Sequence, residues 1–296
     1  MYHIKHNKNS NTLEIEETEN NLYSKIYLDL GASLQELTLG SHAIIQDLTP
    51  LHYDDTYASS ILFPFANRIK DGKYEFEGEK YQFNPNQVEE HNALHGLVYN
   101  KTFQIIEQEA SQENAKIVLE YIESQISVGF PFTYKIQLTY LFAKTSLDLK
   151  VEVLNTSDKT FPFTLGWHPY FISDDLFNSS ISFSSSKRIV LGDRNITTGT
   201  EELVDFKGLK IENKQLDDCW ELDNQKATFN TPKYRLELSA TGNNNFLQSY
   251  TPPRKNTIAI EPTTGVSDSF NNNIGLQTLN SGESYSITWG LKIYNN

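Results

Sequence analysis

The run Leu147-Asp-Leu-Lys-Val-Glu-Val153 alternates without a break. Leu147, Leu149, Val151 and Val153 fall on one parity, and Asp148, Lys150 and Glu152 on the other. Successive side chains of an extended chain point to opposite faces, so this is the pattern of a half-buried β-strand. Upstream, Ile136, Leu138, Tyr140 and Phe142 repeat it. Downstream, Tyr234, Leu236 and Leu238 do so again, as do Ile287, Trp289, Leu291 and Ile293. Polar turn clusters such as Asn155-Thr-Ser-Asp158 and Gly242-Asn-Asn-Asn245 punctuate these runs. Lys73-Tyr-Glu-Phe76 and Tyr81-Gln-Phe83 flank Glu77-Gly-Glu-Lys80, which predicts a hairpin. No long segment carries a helical period. The expected fold is all-β and antiparallel, a sandwich or barrel with few short helices. No Pro/Ser linker, charge block or repeat divides the chain, so residues 1–296 are read as one domain, with the first ~20 residues as an edge strand or a frayed terminus.

The chain has 296 residues and a net charge of −13. That charge argues against a nucleic-acid partner, which needs a basic footprint, and against an anionic membrane surface. It also mildly disfavours a highly phosphorylated substrate. Tyr, Phe and Trp number 16, 17 and 3, which suits sheet packing and also stacking on sugars. Cys219 is the single cysteine, so no intrachain disulfide forms. The opening Met1-Tyr-His-Ile-Lys-His-Asn-Lys-Asn-Ser10 lacks an apolar signal core, and no stretch approaches the ~20 apolar residues of a membrane span. Cytoplasmic residence is the expectation. The sequence leaves the oligomeric state open.

Three segments set a proton-handling side chain beside Gly or Pro. They are Asn92-Ala-Leu-His95-Gly96, Gly166-Trp-His168-Pro-Tyr-Phe171 and Ile260-Glu261-Pro-Thr-Thr-Gly265. His and Glu are the usual general acids and bases near neutral pH. In Thr257-Ile-Ala-Ile-Glu261-Pro262, strand parity puts Thr257, Ala259 and Glu261 on one face, with Pro262 expected to end regular pairing. Small neighbours on that face leave room for a ligand, although a glutamate at a strand end is most often a surface residue. By the same parity Gly166, His168 and Tyr170 share a face opposite Leu165 and Trp167, with Gly166 expected to make space beside the imidazole. Taken alone, a structural histidine explains His168 equally well.

His91 and His95 are four apart, a zinc spacing that works only on a helix. Asn92 and Gly96 are poor helix formers, and the Glu of a His-Glu-x-x-His motif is missing. A loop presenting His95 through Gly96 is the better reading, so no metal is assigned. Arg68 lies in the otherwise apolar Phe63-Pro-Phe-Ala-Asn67-Arg68-Ile69. It either snorkels at the sheet surface or offers a fork of donors to sugar hydroxyls or a carboxylate. Asp217 and Asp218 precede Cys219 and Trp220 as a solvated turn, a metal site or a hydroxyl-binding pair. Cys219 lacks an activating neighbour and reads as core.

Taken in order, Asn67-Arg-Ile69, Asn92-Ala-Leu-His-Gly96, Trp167-His-Pro-Tyr-Phe171, Leu216-Asp-Asp-Cys219 and Ala259-Ile-Glu-Pro-Thr-Thr-Gly265 resemble the aldose 1-epimerase (mutarotase) family. The closing Ser281-Gly-Glu-Ser-Tyr-Ser-Ile-Thr-Trp-Gly290 is similar too, and the likeness runs from about Leu28 to the C-terminus. It implies a large antiparallel β-sandwich, the galactose mutarotase-like supersandwich, with an open sugar cleft. It implies Glu261 as general base and His168 as general acid, with Arg68, His95, Asn67 and Asp217 binding the sugar and Asp218 as the adjacent alternative to Asp217. The implied reaction interconverts the anomers of a free aldohexose by ring opening and closure, without a cofactor. Leu97 after Gly96 and Pro169 after His168 depart from galactose-type members and point to a broader mutarotase-like branch. Two alternatives share the scaffold: a non-catalytic carbohydrate-binding protein, and a hexose-6-phosphate mutarotase, for which the sequence shows no basic cluster. A metal-dependent isomerase or lyase using His91, His95 and the Asp217/Asp218 pair is a third class.

Overall fold

The computed structural model describes residues 1–295. Five strands, His3–Asn7, Thr12–Glu17, Leu22–Tyr27, Ser33–Leu39 and His42–Ile45, form an antiparallel meander. A second antiparallel sheet of fifteen strands carries most of the remaining chain. The alternating runs behave as expected. Strands Tyr134–Ala143 and Ser146–Asn155 pair in uninterrupted register, Leu138 opposite Val151 and Tyr140 opposite Leu149. Ser146–Asn155 then pairs with Ser284–Asn295, placing Leu149 opposite Trp289. Their apolar parities merge with Leu13, Ile15, Leu34 and Leu37 of the smaller sheet in one buried cluster, so the sheets pack face to face as a sandwich. Helices among the described residues are short, the two α-helices being Tyr53–Thr56 and Ser269–Asn272. No helix among the described residues is long and apolar enough to cross a membrane.

The N-terminal edge strand is His3–Asn7, while Thr12–Glu17 lies inside the five-stranded sheet with Leu13 and Ile15 buried. The hairpin at residues 73–82 is tighter than expected. Its strands are Lys73–Phe76 and Glu79–Gln82, joined by Glu77 and Gly78 alone, both at positive φ (52° and 81°). That is the two-residue turn whose twist matches the strands.

The strand Thr257–Thr263 does not stop at Pro262, contrary to expectation. Leu247 pairs with Pro262 and Phe246 with Thr263. Ile260 and Thr264 donate their N–H groups to the carbonyls of Pro169 and Leu165. The N–H that Pro262 lacks therefore faces the side where the neighbouring strand is interrupted between Gly166–Trp167 and Tyr170–Ile172. A proline there costs the ladder little. Across this part of the sheet Gln248 stands opposite Glu261, Tyr170 and Tyr250 opposite Ala259, and Asp217 opposite Tyr250. One face of adjacent strands thus gathers Asp217, Gln248, Tyr170 and Glu261.

Candidate active site

These side chains line a cleft of about 180 Å³ together with Arg68 and His95. Its size falls below the ~300–1,000 Å³ typical of sites for drug-sized ligands and suits a monosaccharide. All six residues named from the sequence, Asn67, Arg68, His95, His168, Asp217 and Glu261, face it.

His168 sits in the break between two short strands, and its backbone is held from both sides. Its N–H donates to the Ser60 carbonyl at 3.0 Å, and the Ser59 N–H donates to its carbonyl at 2.8 Å. The imidazole stacks on Tyr170 at 4.9 Å and meets the His95 ring edge-on at 5.0 Å. Its Nε2 lies 3.5 Å from Glu261 Oε1. Gly166 does not make the room foreseen beside this ring. A Cβ there would meet Ala66, Leu62 and Thr263 side chains at 3.1 Å, so the glycine admits close packing by neighbouring strands instead.

His95 arrives on a loop. The short strand Ala93–Leu94 pairs with Arg68–Ile69, and the His95 N–H donates to the Asn67 carbonyl at 2.8 Å. His95 and Gly96 take left-handed φ of 61° and 76°. A Cβ at Gly96 would lie 2.2 Å from the Phe63 carbonyl oxygen, so only glycine fits this approach. The segment is not helical, and His91 is exposed whereas His95 is buried, so the spacing of four does not bring the two rings to one helical face.

Arg68 donates from Nε to Gln87 Oε1 at 3.2 Å and from Nη1 to Asn67 Oδ1 at 2.9 Å, with the Glu90 carboxylate 3.8 Å away. It is a braced fork rather than a snorkelling surface arginine. Asp217 and Asp218 part company by strand parity. Asp217 enters the cleft, accepting from Gln248 Nε2 at 2.7 Å and from Asn195 Nδ2 at 2.8 Å. Asp218 pairs instead with Arg188 at 3.0 Å. Cys219 is buried with Ile189, Phe246 and Val266.

Burial dominates the electrostatics. It drives the Glu261 carboxyl well above the usual carboxylate range, with Asp217 adding to the rise and Arg68 opposing it. It pushes His168 down to about 4. His95 is also held well below the ordinary histidine value by burial, then by His168 and Arg68. Asp217 is raised by burial, against the pull of Arg68. The Nδ1 atoms of both His95 and His168 are buried without a hydrogen-bond partner. Such groups are rare in folded proteins and common where a polar ligand completes the site.

Gln87 and Gln248, which line the cleft, and Asn195, which bonds Asp217, are residues that sequence reasoning missed. Gln248 lies in Phe246-Leu-Gln-Ser-Tyr250, where four residues are buried and no alternation marks a face. A glutamine in such a run was the available signal. Asn195 sits in a turn, where no periodicity applies.

A sequence profile described as aldose 1-epimerase matches residues 14–292. The chain is 26% identical over 287 residues to the uncharacterized protein YihR of Escherichia coli (strain K12), covering 91% of this chain and 90% of that one. Among solved structures, a galactose mutarotase-like protein from Clostridium acetobutylicum superposes with a TM-score of 0.87 at 20% identity, covering 100% of this chain and 99% of the other. A galactose 1-epimerase from Lactobacillus acidophilus NCFM gives a TM-score of 0.80 at 17% identity, covering 100% and 99%.

Proposed function

Because the chain belongs to the aldose 1-epimerase family, we propose that it interconverts the α and β anomers of a free aldose. The observation that carries this reading is the 3.5 Å separation of His168 Nε2 and Glu261 Oε1 inside a monosaccharide-sized cleft. The anomeric hydroxyl and the ring oxygen of a pyranose are bonded to one carbon. The acid and base that serve them must therefore lie close together, as these two groups do.

The proton transfers balance within the pair. Glu261 takes the proton of the anomeric hydroxyl as the C1–O1 bond becomes a carbonyl. The C1–O5 bond breaks, and O5 takes a proton from His168 Nε2. The pair is then Glu261 protonated and His168 neutral. Burial favours that same distribution in the empty cleft, since it raises Glu261 and lowers His168. Rotation about C1–C2 presents the other carbonyl face, and closure reverses both transfers. Arg68 offsets the cost of ionising Glu261 and, with His95 and Asp217, holds the sugar. Acid/base catalysis at ~10²–10⁴-fold per positioned group suits a reaction that already proceeds slowly in water.

The cleft favours a neutral polyol over a sugar phosphate. Among the described residues lining it, Arg68 is the one lysine or arginine, set against Asp55, Asp217 and Glu261. A polarimetric assay of freshly dissolved α-anomers across a panel of aldoses and one 6-phosphate tests the proposal. Enhanced equilibration of a free aldose, abolished in Glu261→Gln, is expected. Sugar binding with no rate above buffer would make the protein a carbohydrate-binding module instead.

A further inference from the structure

Asn195 closes the turn Asp193–Asn195, which joins the long strands Ser180–Leu191 and Thr197–Lys210. Arg194 and Asn195 both hold left-handed φ, 58° and 54°, a region that asparagine enters more readily than most residues. The turn is tied down on two sides of the cleft. Arg194 Nη1 donates to the Asp71 carboxylate at 2.8 Å and to the Glu90 carbonyl at 2.9 Å. The Arg194 carbonyl accepts from Asn92 Nδ2 at 3.3 Å, and that amide also reaches Gln87 Oε1, the acceptor of Arg68 Nε. On the far side Asn195 Nδ2 donates to Asp217 Oδ2 at 2.8 Å, while Gln248 Nε2 donates to Oδ1 at 2.7 Å.

Each Asp217 oxygen therefore carries one amide donor. A carboxylate has about four acceptor positions, so one on each oxygen stays open. With its plane fixed by two donors, Asp217 presents those positions in a set direction, as two adjacent hydroxyls on a sugar ring require. Gln248 sits on a central strand beside Glu261, whereas Asn195 comes from a turn anchored to the loop of His95. Removing either donor frees the carboxylate to rotate.

We propose that Asn195 is a positioning residue that fixes the Asp217 carboxylate to accept sugar hydroxyls and so sets the hydroxyl specificity of the cleft. The inference rests on the anomerase reading above. Two variants test it. Asn195→Gly keeps the left-handed backbone and removes the amide. Asn195→Ala removes the same amide without adding a charge beside Asp217. A hydrogen bond to a charged group is worth about a tenfold change or more. Both variants are expected to raise KM for the preferred aldose about tenfold while kcat changes less than about threefold.

The decisive readout uses monodeoxy sugars. The hydroxyl that Asp217 meets is the one whose removal penalises wild type but not Asp217→Asn. For that deoxy sugar the KM penalty of Asn195→Gly should vanish. An equal penalty across every sugar would mean general loosening and overturn the inference, as would an unchanged KM. Wild-type protein inert toward all aldoses would overturn the anomerase reading itself, and this inference with it.

Discussion

His168 Nε2 faces Glu261 Oε1 across 3.5 Å, and burial pushes the two groups in opposite directions, the imidazole down to about 4 and the carboxyl up. In the proposed ring opening and closure each of the two groups is a place to put a proton. Glu261→Gln removes a place while keeping the shape. Turnover is expected to fall at least ~10²-fold, with sugar affinity within a few-fold of wild type. Polarimetry and calorimetric titration check the two halves, and a loss of affinity equal to the loss of rate would remove Glu261 from the proton chemistry.

Arg68→Ala acts on a different quantity. The guanidinium is braced by Gln87 and Asn67 and faces the cleft, so in the proposed reaction its removal should raise KM by ~10-fold or more. It also withdraws the cation that opposes the rise of the Glu261 pKa, so the alkaline fall in kcat/KM, where Glu261 ionises and the pair has no proton left to give, should move to higher pH. A pH–rate profile of the variant shows this. An unshifted profile would confine Arg68 to binding.

The alternating strands were legible because a half-buried strand writes its burial as a period of two, and Leu147 to Val153 keep it. Strand parity also placed His168 and Tyr170 together, and Glu261 opposite Ile258 and Ile260. What parity does not encode is which strands become neighbours. The meeting of Asp217, Gln248 and Glu261 depends on the strand Asp217–Glu221 lying beside Phe246–Tyr250, which is not its neighbour in sequence and pairs in turn with Thr257–Thr263. The same pairing separates Asp217 from Asp218, one lining the cleft and the other meeting Arg188. Gly166 was misread because its neighbours come from Ala66, Leu62 and Thr263, far away in sequence.

Gly96→Ala should damage stability and catalysis together. The residue combines a φ of 76° with a Cβ position 2.2 Å from the Phe63 carbonyl oxygen. The backbone would have to move, at an expected cost of about 3 kcal/mol. His95, one residue earlier, would move with it. Urea denaturation and KM for the preferred aldose read the two effects, and a variant as stable as wild type would show that this approach is not rigid.

The proton pair also makes opposite predictions for stability at acid and alkaline pH. His168 has a folded pKa of about 4 against an ordinary 6.5, so its neutral form stabilises the fold above pH 6.5. As pH falls from 6.5 through 4 the unfolded chain takes up the proton first, and that contribution is lost. His95, lowered in the same sense, adds to it. Glu261 has a raised folded pKa, so its contribution is present below the ordinary 4.5 and is lost as pH rises through the folded value. His168→Gln should therefore flatten the acid side of a plot of urea midpoint against pH. Glu261→Gln, which removes a carboxyl that resists ionisation in place, should raise the midpoint most at pH 8 and least at pH 4. A stabilised but inactive Glu261→Gln is what a site that trades stability for chemistry gives. Curves for both variants parallel to wild type would mean that neither group titrates differently on unfolding.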